Sequence, residues 1–221
     1  MVYRQKAFHR YNGTSKSVIA GGILEDVQTI AEMPFVAGHV ALDFVNTAEE
    51  RGHPDADDAL RTPADLRLWG SRRGAIARTI AANGDEQAEL GRAIEARELL
   101  YDLLFAQVHG QTMRKAQLAR LAELAAEAYG AGRLQPADDG SLGWHWSRSQ
   151  LAAVRHIAVT SAVDLLRNSP APRLKQCPGD HCGWFFLDTT KRGNRRWCSM
   201  SECGQEAKDE RRRAQRQASR R

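Results

Sequence analysis

Along most of the chain, apolar residues recur at helical intervals. From Asp85 onward, Leu90, Ile94, Leu99, Leu100, Leu103, Leu104 and Val108 return every three to five positions, and Gly110 follows as a stop. This pattern predicts a long helix. Leu118, Leu121, Leu124, Ala125 and Ala128 predict a second helix over about 114–129, with those five on its inner face. A third runs from about Ser149 through Leu151, Val154, Ile157, Ala158, Ala162, Leu165 and Leu166, and Asn168-Ser-Pro-Ala-Pro172 breaks it. Thr62-Pro63-Ala64-Asp65 announces a shorter helix, with Thr62 as cap, Pro63 in the first turn and Asp65 as the reciprocal carboxylate. Leu66 and Trp69 fall on its inner side, and Gly74 closes it. Such stripes build a core.

Three stretches depart from this period. Arg133-Leu-Gln-Pro and Gly143-Trp-His-Trp146 flank Asp138-Asp-Gly-Ser, which predicts a β-hairpin. Residues 48–61 are polar, with Pro54 and several Asp, and are expected to form an exposed loop. Phe35-Val-Ala-Gly-His-Val-Ala-Leu-Asp-Phe-Val-Asn-Thr47 shows no clean alternation and is apolar on several sides, as a buried segment would be. Asp43 and Asn46 within it need partners if they are buried. Two readings stand for them: they knit the fold by holding backbone groups, or they line a pocket for a small-molecule ligand. Trp144 and Trp146 are the aromatic candidates for its walls.

All four cysteines lie near the C-terminus. Cys177 and Cys182 form one C-x4-C pair, and Cys198 and Cys203 another, fifteen residues further on. Two close pairs across a short loop are how a tetrahedral four-cysteine site is written in sequence, so one structural Zn2+ is expected. Disulfides would need an oxidising compartment, and the chain shows no secretory signal. His181 in place of Cys182 would strand a thiol beside the metal. Between the pairs, Trp184 to Leu187 reads as a strand, and Arg195-Arg196-Trp197 as a second strand returning to the metal. Gln205 to Ala218 has no Gly or Pro and reads as a helix. Knuckle, hairpin and helix together make a treble-clef-like finger. The expected fold is therefore mostly α, with a small β-hairpin in the N-terminal domain and this finger at the C-terminus.

Charge singles out the same end. The 221 residues carry a net +5, yet Arg173 to Arg221 alone holds 13 Lys+Arg against 6 Asp+Glu. Lys191, Arg192, Arg195 and Arg196 lie on the predicted hairpin, and Lys208, Arg211, Arg212 and Arg213 on the helix. A basic stripe on structured elements suits a phosphate backbone, so DNA is the expected partner. An RNA-binding or protein-docking finger is the alternative, with Trp184, Phe185, Phe186 and Trp197 stacking on unpaired bases if they are exposed. No Gly-rich phosphate loop, Ser elbow or His-Glu-x-x-His helix occurs, and no catalytic role is expected. No run approaches twenty apolar residues, which excludes a membrane helix and leaves the cytoplasm as the expected location.

The run Cys-x4-Cys-Gly-Trp-Phe-Phe-Leu-Asp…Arg-Arg-Trp-Cys-Ser-Met-x2-Cys-Gly resembles the CGNR zinc finger, named for Cys-Gly-Asn-Arg at its last ligand. This chain departs there, with Cys203-Gly204-Gln205-Glu206, which sets a carboxylate where the family has a cation. The stretch from Phe35 to Thr47 resembles the opening of the ABATE domain, which precedes this finger in the family. The resemblance implies a stress-responsive, DNA-binding transcription regulator. The expected division is an N-terminal extension over 1–32, a mainly helical ABATE-like domain over 33–168, a linker over 169–174 and a finger over 175–221. The extension reads either as a disordered arm or as sequence ahead of a natural start at Met33. A single finger makes few base contacts, so specific recognition would favour a homodimer.

Overall fold

The computed structural model describes residues 29–49, 51, 57–81, 84–136, 139–168, 173–179 and 182–219. Expectations for residues 1–28, for His181 and for the Ser-Pro-Ala-Pro break at 169–172 lie outside the described residues. In chain order the elements are α1 (Val40–Val45), α2 (Pro63–Arg72), α3 (Glu86–Val108), α4 (Lys115–Ala131), β1 (Arg133–Pro136), β2 (Leu142–His145), α5 (Ala152–Asn168), β3 (Leu174–Gln176), β4 (Phe185–Leu187) and α6 (Cys203–Ala218). β1 pairs with β2 and β3 with β4, both antiparallel.

The helix signals act as their chemistry dictates. The Thr62 hydroxyl accepts the Asp65 N–H at 3.3 Å, and the Asp65 carboxylate accepts the Thr62 N–H at 2.8 Å, so two orphan donors of α2 are satisfied at once. Asp85 caps α3 by accepting the Ala88 N–H at 2.9 Å. α5 packs between α3, α4 and α1. Its buried Arg155 binds Glu89 of α3 at 2.7 Å and Glu127 of α4 at 2.8 Å, which ties the three long helices by charge as well as by apolar contact.

Three expectations need correction. Leu118 is exposed, although it shares the apolar stripe of α4. The loop over 48–61 is anchored inside at its described ends: Ala48, Ala59 and Leu60 are buried, because Asp58 turns in to pair with buried Arg97 at 2.6 and 2.7 Å. The third concerns the zinc hairpin. β4 takes β3 as its strand partner, and residues 195–197 form no strand. The chain after β4 instead folds around buried Asp188, which accepts the N–H groups of Thr190 and Arg195 at 3.0 and 2.8 Å and the Lys175 ammonium at 2.7 Å. Burial alone would raise the Asp188 carboxyl, but these bonds outweigh it and hold it well below the usual carboxylate range.

β4 joins the two ends of the chain. Phe185 enters the apolar cluster of Leu100, Leu103, Leu104 and Val159, whereas Phe186, one residue on, enters that of Phe44, Leu66, Trp69 and Val154. Successive strand residues face opposite ways, and here both faces are covered, which is why the sequence reads as an unbroken apolar run. Trp184, Cys177 and Cys198 lie in the second cluster too, so the interior is continuous from Ile30 to the zinc ligands.

The other edge of β4 is closed by the stretch at 37–46, buried at Ala37 and from Ala41 onward. Asn46 donates from Nδ2 to the Phe185 carbonyl and accepts the Phe185 N–H, both at 2.9 Å. Its amide thus replaces the peptide of an absent neighbouring strand. Two residues along, the Leu187 N–H donates to the Ala37 carbonyl at 2.8 Å. Gly38 takes φ +77°, and a Cβ there would stand 3.3 Å from the Leu187 carbonyl oxygen, so a side chain would meet both strain and crowding. α1, the helix between, is buried on nearly every side, and this explains why no period marked it.

Asn46→Ala removes both bonds and leaves a buried N–H and C=O unpaired. At roughly 1–3 kcal/mol for each orphaned group, a loss of about 4 kcal/mol is expected in urea unfolding. A cost under about 1 kcal/mol would mean that the amide does not tie β4 to the N-terminal segment.

Candidate metal centre and its basic flank

The four cysteines are brought together. Their sulfurs lie within 4.8 Å of one another, with Cys182–Cys198 at 3.4 Å and Cys198–Cys203 at 3.6 Å. None is in a disulfide, which would need about 2.05 Å. A tetrahedral zinc with bonds of about 2.3 Å separates its sulfurs by about 3.8 Å. The cluster therefore fits one zinc ion with all four positions filled by protein, a closed structural site. Without a cation the thiols oppose one another: hydrogen bonds from Cys182, Cys198 and Cys203 draw Cys177 toward the thiolate, and the same contacts push Cys182 and Cys198 upward. A dication removes that conflict by favouring thiolate at every position.

Local packing sets the knuckles. A Cβ on Gly179 would come 3.2 Å from the Cys203 sulfur, so this glycine lets backbone approach the centre, and one on Gly204 would come 2.8 Å from the Met200 sulfur and 3.2 Å from the Trp197 ring, so it lets the start of α6 lie close against the preceding loop. Cys203 is the first residue of α6. Beside it, at the start of α6, stands the departure from the family motif. Gln205 reaches Asp209 at 3.1 Å, and Glu206 sits in the first turn, where the helix dipole favours a carboxylate.

The predicted cations divide into two sets. Arg195 is built into the fold: its guanidinium donates to the carbonyls of Trp197 at 3.0 Å, Val36 at 2.8 Å and Cys198, and lies 4.6 Å over the Phe186 ring. Sequence alone does not separate it from its neighbour Arg196, which is exposed and stacks on Trp197 at 4.9 Å. Lys191, Arg192, Lys208, Arg211, Arg212 and Arg213 are all exposed. Lys208, Arg212 and Arg216 recur every four residues and share one face of α6. Lys175, which the sequence pattern does not single out, is a structural cation: its ammonium holds Asp188 and the carbonyls of Gly193 and Arg195.

The four residues considered for a ligand pocket have separate contacts. Asn46 is occupied by Phe185. Asp43 is buried, accepts the Ala37 N–H at 3.1 Å and pairs with Arg73 at 3.2 Å. Burial raises its carboxyl to about 6, against the opposing pull of Ala37 and Arg73. Trp146 donates to the Ala128 carbonyl at 2.6 Å, and Trp144 packs on Tyr129 at 5.0 Å, both over the end of α4. None of these contacts joins the aromatic pair to Asp43 or Asn46.

Comparison with known families gives two matches in chain order. Residues 38–169 match the ABATE model, described as "Putative stress-induced transcription regulator", and residues 173–216 match the CGNR zinc finger. A search of curated proteins finds no match.

Two outcomes are expected. Purified protein holds one zinc per chain, and Cys198→Ser abolishes it; because Cys177 and Cys198 share a core with Phe44 and Trp69, that variant also melts earlier as a whole. Zinc analysis with calorimetry checks both, and an N-terminal half that melts unchanged contradicts the shared core. Asp43 gives a pH signature. Its folded value of about 6 lies above the ordinary 3.8, so its contribution is full below about pH 3.8 and lost as pH rises through about 6. Relative to Asp43→Asn, the protein should lose about 2 kcal/mol between about pH 4 and pH 7, read from urea midpoints. Both proteins keep the zinc site, so its own pH dependence cancels.

Proposed function

Since this chain belongs to the ABATE family and ends in a CGNR zinc finger, we propose that it is a zinc-dependent DNA-binding transcription regulator whose contact element is α6. One observation carries the reading. α6 is fixed at its start by a zinc ligand, buries only Gly204, and presents Lys208, Arg212 and Arg216 on a single exposed face. Cations on a rigid frame lose less freedom on meeting phosphate than cations on a loose tail. Arg196, Lys191 and Arg192 on the neighbouring loop extend the basic surface. Residues 33–168 are, in this reading, the platform that holds the finger, and residues 175–221 the part that meets DNA.

The RNA alternative draws less support. Trp184, Phe185 and Phe186 are buried, so they are not available to stack on unpaired bases, and Trp197 already carries Arg196. A sensing role for the N-terminal part also draws little, since Asp43 and Asn46 have internal partners. Both matched families are regulator or zinc-finger families, in keeping with a role other than catalysis.

Titration of a labelled duplex across a salt series tests the proposal. Lys208→Ala, Arg212→Ala and Arg216→Ala together should weaken binding and flatten the slope of log affinity against log salt by about 2.7, or about 0.9 for each phosphate no longer neutralised. Arg195→Ala should lower stability instead. Binding indifferent to salt, or stronger to single strands than to the duplex, contradicts the proposal.

A further inference from the structure

Among the exposed cations of the finger, Arg196 is held in a way the others are not. Its guanidinium lies 4.9 Å over the Trp197 ring, and among the described residues no group bonds to any of its N–H donors. Arg211 and Arg212, by contrast, engage α6 itself, on the Ala207 carbonyl at 3.1 Å and beside Asp209 at 3.7 Å. Lys191, Arg192, Lys208, Arg213 and Arg216 are exposed without a ring beneath them.

The backbone under Arg196 is fixed as well. Asp188 accepts the Arg195 N–H at 2.8 Å, Lys175 donates to the Arg195 carbonyl at 2.9 Å, and the Arg195 side chain donates to the Trp197 carbonyl at 3.0 Å. Cys198, two residues on, belongs to the metal centre. Trp197 packs against the core, and its ring lies beside the start of α6, 3.2 Å from where a Cβ on Gly204 would stand. Arg196 thus joins a rigid frame to a free head group, next to the helix assigned to DNA.

That combination suits a base edge better than a phosphate. Phosphate contacts position a protein without reading sequence, and flexible cations serve them. Reading a guanine needs a planar fork held in place, because O6 and N7 together accept two N–H bonds from one guanidinium. Stacking on Trp197 covers one face of the guanidinium and leaves its edge to meet the base. It also restricts the side chain before binding, so less freedom is lost on contact. Charge agrees. Glu206 in the first turn of α6 sets a carboxylate at this end, which disfavours a neighbouring phosphate more than an uncharged base.

On the reading that α6 meets DNA, we propose that Arg196 determines sequence specificity by pairing with a guanine in the major groove. Lys208, Arg212 and Arg216 hold phosphates and are indifferent to sequence.

Selection from a pool of randomised duplexes by the full zinc-loaded chain tests this. The selected sites should share a guanine, and changing that base pair should weaken binding about tenfold. 7-Deazaguanine at that position, which lacks the N7 acceptor, should weaken binding by the wild-type chain and leave Arg196→Ala unaffected. Arg196→Ala should bind all four base pairs there alike, with circular dichroism and zinc content unchanged. Its salt slope should change by less than the roughly 0.9 of a lost phosphate contact. Lys208→Ala with Arg212→Ala should weaken every site equally and keep the guanine preference. Salt-dependent duplex binding that selects no common base overturns the assignment of Arg196 and leaves the DNA reading standing. So does an Arg196→Ala chain that binds every sequence more weakly yet still prefers guanine, which would mark a phosphate contact. Failure to bind any duplex overturns both.

Discussion

The amide of Asn46 supports the rest of the structure. Strand β4 is only three residues long, far too short to hold a finger in place by its pairing with β3 alone. By bonding both polar groups of Phe185, Asn46 supplies the missing neighbour on the open edge, and Ala37 does the same at Leu187. A strand satisfied on both edges can be buried on both faces without leaving backbone groups unpaired. That is why Phe185 and Phe186 can enter opposite sides of one interior. Asp43 secures the arrangement from behind, holding the N–H of Ala37, whose carbonyl holds β4.

The metal centre sits on this platform rather than beside it. Arg195 spans the gap, bonding Val36 on one side and the carbonyls of Trp197 and Cys198 on the other. The knuckle that carries Cys198 is therefore positioned by zinc and by the N-terminal segment together. α6 inherits that rigidity through Cys203 and extends outward with its cations exposed. Small zinc domains usually depend on the metal for most of their stability because they have little else to bury. This finger has more, since Trp184 and Phe186 are buried with Phe44 and Trp69, and Phe185 with Leu100 and Val159.

Much of this is legible in the residues. The long helices announce themselves through period and caps, the hairpin through its turn, and the zinc site through cysteine spacing, because each signal acts over a few residues. What stays hidden is what acts over long separations. Nothing local distinguishes Arg195 from Arg196, since the carbonyl of Val36 that captures one of them lies 159 residues away. The pairing of β4 with β3 in place of 195–197 depends on the buried hub at Asp188. α1 gives no period because it is buried almost all round. Asp43 and Asn46 stand out as polar residues in an apolar segment, and the fold-knitting reading of Asn46 is the one its two bonds to Phe185 support. The exposure of Leu118 cannot be read from α4's own stripe, because both faces of that helix are apolar.

The central claim is that helices and finger fold as one body through β4. Amide hydrogen exchange on the protein with and without a zinc chelator tests it most directly, because protection reports each segment's stability separately. On this account, removing zinc deprotects not only residues 182–219 but also Ala37 and the amides of α1, which lie across the Asn46 joint. Protection lost only beyond Cys182, with α1 and α5 as slow to exchange as before, would contradict it.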